Sequence, residues 1–124
     1  MSKYINSAGQ DALLTWVRDN CNLLVLCSIY PTTYTEAYVT YNLGEIAINS
    51  GMFTGPSDGL DGRYIQVDEI AAITITVAGT ISHVALVHTG TSTLVYVTET
   101  ESEALVVGNE ESLSAWNIYV DNAI

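Results

Sequence analysis

The chain has 124 residues, of which 48% are hydrophobic, which suits one domain with one core and is too small for two. Its formal charge is -11, and its only cations are Lys3, Arg18 and Arg63, too few to contact nucleic-acid phosphates. The longest apolar run, LLVLC, is far below the roughly 20 residues that span a bilayer, and the first residues lack a signal peptide's apolar stretch. We therefore expect one soluble domain over residues 1–124, with no export signal and no nucleic-acid or membrane partner.

The first predicted element is a helix over about residues 8–19. Ser7 lies three residues before Gln10, the spacing of a capping box in which each side chain satisfies the other residue's backbone N–H. The apolar face consists of Leu13, Trp16 and Val17. These side chains are expected to dock the helix on the core, with Trp16 as the anchor. The residues expected to face water are Gln10, Arg18 and Asp19.

The next segments change from helical to extended patterns. NLLVLCSIY is rich in aliphatic residues and stops at Pro31, so it predicts a buried strand from Leu23 to Ile29. Thr33 is a possible cap with Glu36 three residues later, which predicts a short helix or turn. GEIAINSG predicts a short strand, and the glycines and proline of residues 51–62 predict a loop.

From Arg63 onward the chain has a nearly pure β pattern. The strand-like segments are RYIQVDEI, AAITITVA, TISHVALVH, TLVYVTET, EALVV and LSAWNIYVD. Turn residues such as Gly79, Gly90 and Gly108 separate several of them, and with the two earlier strands they make about eight. The sequence therefore predicts a mainly β domain, an antiparallel β-sandwich, jelly roll or small barrel with the amino-terminal helix packed on it.

The two histidines lie on one predicted strand, an odd number of residues apart. Alternation places His83 on one face with Ile81, Ala85 and Val87, and His88 on the other with Ser82, Val84 and Leu86. They cannot ligate one metal in a regular strand. We expect a hydrogen-bonded, half-buried His83 and a strand-end His88, and no catalytic role for either.

The other candidates for chemistry give no site. Cys21 and Cys27 would lie roughly 20 Å apart in an extended stretch, so they are expected to be free thiols of a reducing compartment. Asp58 and Asp61 could offer oxygens to calcium, but the loop lacks the EF-hand pattern, and an exposed turn is expected. No nucleophile motif or phosphate loop is present, although paired carboxylates for glycoside hydrolysis stay open. We predict no catalytic, cofactor-binding or metal-binding residues and no enzyme activity.

A resemblance to a known group of proteins covers most of the chain. The blocks that carry it are DALLTWVRDN, PTTYTEA, GMFTGPSDG, Gly62–Arg63, AGTISHVALVHTG, LVYVT and AWNIYVD. Together they resemble small structural proteins encoded among the virion genes of tailed bacteriophages. The resemblance implies a decoration, or cement, protein that binds the major capsid protein on the outer shell. It also implies a location on the capsid surface after synthesis in the host cytoplasm.

The residues themselves agree with a protein-binding part. Eight Tyr and two Trp supply amphipathic contact area of the kind interfaces use, and a homo-oligomer arranged by the shell's symmetry is expected. The alternative is a tail or fibre module that binds carbohydrate or a host receptor through Tyr- and Thr-rich loops; an unrecognised hydrolase ranks third.

Charge predicts how such a protein would face its shell. Lys3, Tyr4 and Arg18 are expected at the shell contact, because cations are concentrated near the amino terminus. The carboxylates of Glu99, Glu101 and Glu103 share one face of a strand, where they meet either water or a basic partner. We expect that this strand faces solvent.

Overall fold

The computed structural model describes residues 7–58 and 62–121. Within these residues one helix precedes nine antiparallel strands, and three short helical turns connect some of them. The elements are α1 (Ser7–Asn20), β1 (Leu23–Cys27), a π-helical turn (Glu36–Thr40), β2 (Asn42–Ala47), a 3-10 turn (Ser50–Met52), β3 (Phe53–Asp58), β4 (Gly62–Val67), β5 (Ile70–Thr74), β6 (Gly79–His88), a 3-10 turn (Thr89–Thr91), β7 (Thr93–Leu105), β8 (Glu110–Leu113) and β9 (Trp116–Asp121).

The strands form three antiparallel sheets. The largest has the order β2-β1-β6-β7, the second β3-β4-β9, and the smallest pairs β5 with β8. The two larger sheets share an apolar core, and α1 packs on the second sheet. The predicted class, mainly β and antiparallel with one amino-terminal helix, is confirmed, and the arrangement is sandwich-like.

Strand β1 is buried along its whole length because it lies between two cores. Leu24 and Leu26 belong to the core between the sheets, which we call the inner core. Val25 and Cys27 belong to a smaller outer core on the other face of the four-stranded sheet. Such a strand shows no alternation, and this explains the continuous apolar run. The predicted strand is confirmed but ends at Cys27, since Ile29 is exposed.

Residues 28–41 cover the outer core. Ala37 is fully buried there, and Tyr34 and Tyr41 pack against the same cluster. The predicted short helix is confirmed as a π-helical turn, in which the Tyr41 N–H donates to the Glu36 carbonyl at 2.8 Å. The predicted cap is also present, because the Glu36 N–H donates to Thr33 Oγ1 at 3.1 Å. Hydrogen bonds from Thr32 to the Glu36 carboxylate lower the pKa of Glu36.

Helix α1 is confirmed, and Val17 packs against the core as predicted, but the predictions that Leu13 and Trp16 are buried and that Gln10 faces water are wrong. Leu13 and Trp16 are each 52% exposed, whereas Leu14 and Gln10 are only 1% and 2% exposed. The apolar set at positions 13, 16 and 17 overlaps a second set at positions 10, 14, 17 and 21, and both have helical spacing. Packing selects the second set, which continues into the buried Cys21. The Ser7 cap depends on a side chain outside the described residues and stays a prediction.

Further corrections concern strand boundaries. The predicted loop over residues 51–62 contains β3, whose register against β4 shifts between Thr54 and Ser57. Gly55 has φ of 104° there, a conformation that glycine adopts readily, so a turn residue lies inside a strand. TLVYVTET and the first three residues of EALVV belong to one strand, β7, which ends at Leu105, and LSAWNIYVD is divided between β8 and β9.

Candidate functional site

The histidines lie apart on β6, each with a local hydrogen bond. His83 Nδ1 lies 2.7 Å from Ser82 Oγ, and its ring contacts Tyr30 edge to face with the centroids 5.0 Å apart. His88 Nδ1 lies 2.7 Å from Thr91 Oγ1 in the following turn. The predicted face of Ile81 is wrong. It joins Val84 and Leu86 in the inner core, because the register against β7 shifts between Ile81 and His83.

The two described arginines are held by acidic partners. Arg63 makes a bidentate ion pair with Asp11 at 2.7 and 3.0 Å, and its third contact is Asp58 at 3.1 Å. The Arg63 contacts join β4 to α1. They also engage Asp58, one of the two aspartates considered as calcium ligands. The other, Asp61, lies outside the described residues. Arg18 contacts Asp19 at 2.9 Å and donates to the Gly55 carbonyl at 3.1 Å. Of the predicted shell contacts, Lys3 and Tyr4 lie outside the described residues, and Arg18 is bound within the chain.

Both cysteines are free and buried. Burial penalises the charged form and raises the pKa of each thiol, Cys21 and Cys27, to about 12. A thiol with such a pKa carries almost no thiolate at neutral pH and is a poor nucleophile. The cysteines therefore contribute to packing.

Helix α1 presents two large apolar side chains to solvent. Leu13 and Trp16, which we call the helix ridge, are separated by about 60° around the helix axis, whereas Arg18 lies about 160° from Trp16. The ridge occupies one flank of the helix. The opposite flank carries the hydrogen bond from Arg18 to β3 and the ion pair of Asp11 with Arg63 of β4. A further exposed apolar group lies on residues 28–41 and consists of Ile29, Tyr30, Tyr38 and Val39.

A cleft of about 620 Å³ lies between β7 and the chain from β8 into β9. We call it the glutamate cleft, because Glu99, Glu101 and Glu103 of β7 and Glu111 of β8 line it. Its apolar lining includes Ile81, Val84, Leu113 and Trp116. Its remaining lining residues are Thr98, Thr100, Ser112, Ser114, Ala115 and Asn117.

Like charges meet across this cleft. The pKa of Glu103 is raised, first because the Glu111 carboxylate repels its negative charge, and then because a hydrogen bond joins the two carboxyl groups. Both described arginines pair elsewhere, with Asp19, Asp11 and Asp58. Four carboxylates thus line this cleft, two of them in contact, and neither of the two described arginines pairs with any of the four.

Sequence reasoning identified only part of this site. The three glutamates of β7 were recognised as too many like charges to bury. The sequence analysis places Trp116 on a predicted strand but gives neither Trp116 nor Glu111 a part in a site, because nothing in the sequence shows that β8 and the start of β9 return beside β7. The five-residue stretch from Glu99 to Glu103 also changes register against β6, so simple alternation does not give the directions of these side chains.

The described residues contain no group of three or more His, Cys, Asp or Glu side chains with the geometry of a metal site. Within the same residues, no helix combines the length and apolar character needed to cross a membrane. Compared with protein-family models, curated proteins and solved structures, the chain has no match.

Proposed function

We propose that this protein is a bacteriophage virion structural protein that decorates the outer capsid shell by binding the major capsid protein, as a homo-oligomer arranged by the shell's symmetry. The observation that carries the proposal is the helix ridge. Leu13 and Trp16 are half exposed on a helix whose other face is already packed against the core. Exposed apolar groups of this kind mark protein contact sites, and tryptophan is enriched among the residues that dominate binding energy.

Charge defines the kind of surface that the ridge can meet. The chain carries -11, and Arg18 and Arg63 are neutralised by aspartates of the chain itself. An acidic partner surface would be repelled, so the proposed contact is apolar and is made with a neutral or basic patch of the shell. Lys3 and Tyr4 precede the same helix in the sequence and remain proposed contacts.

Substitution of Trp16 tests the proposal on purified capsids that lack the protein. Trp16→Ala is expected to cost about 2 kcal/mol of binding, which is roughly a 30-fold increase in Kd, because it removes the largest side chain of the ridge. Val39→Ala is the matched control, since Val39 is 65% exposed and lies on the separate 28–41 segment. Its Kd should stay within about twofold of the unchanged protein.

Two outcomes would contradict this account. If Trp16→Ala binds capsids as tightly as the unchanged protein, the ridge is not the contact. If Val39→Ala loses binding and Trp16→Ala keeps it, the exposed apolar group on residues 28–41 faces the shell instead. Circular dichroism of both variants, with spectra and melting unchanged, confirms that any loss of binding concerns the surface.

A further inference from the structure

Strand β7 lies at one edge of the four-stranded sheet. It is the last strand of the order β2-β1-β6-β7, and within the described chain it pairs with β6 alone. Among the same residues, no backbone hydrogen bond joins residues 93–98 to a segment beyond β6. The outward N–H and C=O groups of these six residues, which we call the open edge, are therefore available to another strand.

Charge and proline, two common protections of an edge strand, are absent from the open edge. Its sequence is TLVYVT, and it ends a stretch, residues 70–98, that contains no Asp, Glu, Lys or Arg. A groove of about 290 Å³ lies between residues 30–32 and residues 94–97. The segment that covers the outer core therefore leaves this part of β7 accessible.

The open edge is complementary to a second copy of itself. Leu94 and Val97 pack on the outer-core side of the sheet, and Val95 and Tyr96 pack on the inner-core side. Two neighbours share a side because the register shift against β6 makes Val95 an extra residue. Antiparallel pairing about a twofold axis between Val95 and Tyr96 sets these two side chains beside each other. The same axis sets Leu94 beside Val97, so each apolar side chain meets another on its own side of the sheet.

We propose that two copies of this chain pair through their open edges, antiparallel about a twofold axis, and so join their two four-stranded sheets into one. A contact of this kind uses the same surface on both copies and closes as a dimer. The occupant is a second copy because the open edge matches its own sequence in both apolar pattern and side-chain direction. An uncharged edge gives a basic or acidic partner no complementary charge to bind.

Charge confines the pairing to the first half of β7. Two copies of a chain that carries -11 repel each other, and contact through uncharged residues keeps that repulsion lowest. In the proposed register Thr93, the first residue of β7, lies opposite Thr98 of the other copy. Glu99 and the glutamates after it then lie beyond the start of the other copy's strand, so they do not face each other in the ladder. The inference rests on the proposed function only for the homo-oligomer that it specifies.

Sedimentation equilibrium of the free, full chain at physiological ionic strength tests the pairing without capsids. At high micromolar concentration the mass should approach twice 13.4 kDa. It should fall toward the monomer mass on dilution, because six residues from each copy form a small interface. Amide exchange is a second measurement that needs no variant. Outward amides of residues 93–98 should exchange more slowly at high than at low concentration, and those of residues 101–104 should not change.

Charged variants at the two ends of the open edge test the register. Thr93→Glu with Thr98→Glu sets like charges opposite each other and should raise the dimer Kd at least about tenfold. Thr93→Lys with Thr98→Glu sets opposite charges there and should keep the Kd within about threefold of the unchanged protein. The matched control, Thr40→Glu with Ser50→Glu, adds the same charge at exposed residues that flank β2, the other edge of the sheet. Its Kd should also stay within about threefold.

A monomer at high micromolar concentration would overturn the proposal. Equal dimer constants for the glutamate pair and the lysine–glutamate pair would do the same. If circular dichroism shows that the glutamate pair unfolds the chain, the lysine–glutamate variant and amide exchange still decide the outcome. Trp16→Ala should remain dimeric, and a monomeric Trp16→Ala would move the contact to the helix ridge. A dimer that does not bind capsids refutes the shell contact alone, and a monomer that binds them refutes the edge pairing alone.

Discussion

Helix α1 has two apolar surfaces that differ in what they contact. Leu14 and Val17 on one surface pack into the inner core, whereas Leu13 and Trp16 on the other remain half exposed. The two surfaces share a helical spacing and similar residue types, so periodicity alone does not separate them. The difference indicates that one surface stabilises the fold and the other is available for a partner.

The largest effect is expected on the buried surface. Leu14→Ala removes a side chain that is 1% exposed and leaves a cavity in the inner core. The free energy of unfolding should fall by about 2–5 kcal/mol, as measured by chemical denaturation. A loss below about 1 kcal/mol would show that α1 is not docked through Leu14, and the comparison between the two surfaces would fail.

The buried surface also predicts sensitivity to alkaline pH. Cys21 continues the packed face of α1, and burial raises its pKa to about 12, as it does for Cys27. Both thiols are protonated in the folded and unfolded states below the unfolded value of about 8.5. Above that pH only the unfolded chain releases these protons, so stability falls as the pH rises toward 12, by roughly 2 kcal/mol for each thiol at pH 10.

Cysteine variants separate this effect from other alkaline titrations. Cys21→Ala should show a shallower loss of stability between pH 8 and pH 10 than the unchanged protein, because one of the two thiols no longer titrates. The measurement is denaturant unfolding at a series of pH values. Identical slopes for the two proteins would contradict the burial of the Cys21 thiol.

The smallest effect on stability is expected on the exposed surface. Trp16→Ala should change the free energy of unfolding by no more than about 0.5 kcal/mol, because the side chain packs little in the free domain. As a core anchor, Trp16 would instead give a loss of about 3–5 kcal/mol. A loss of that size would place Trp16 in the core and remove the basis for the helix ridge.

Local patterns predicted most elements and the class of fold. The run from Leu23 to Cys27 predicted a buried strand correctly, because a strand between two cores is apolar on both faces. Strand β3 was missed because Gly55 and Pro56 are turn signals, yet here they lie in an irregular strand paired with β4. A strand can contain these two residues here because it pairs with β4, and the local sequence does not show that pairing.

The candidate surfaces were harder to predict than the strands. Helical spacing predicts a buried Trp16, since aromatic residues in such a pattern are usually buried, but only packing decides between the two overlapping faces of the helix. The glutamate cleft depends on Glu103 and Glu111 meeting across β7 and β8. This long-range arrangement has no signal in the spacing of the residues; only the excess of acid along β7 pointed to it.

The most direct test of the proposed function is the copy number of this protein in purified virions. Gel densitometry gives the ratio of this protein to the major capsid protein. A decoration protein predicts a ratio fixed by the lattice of the shell and the same in every preparation. A few copies per particle would contradict decoration and favour the tail or fibre module, and absence from purified particles would contradict a virion role altogether.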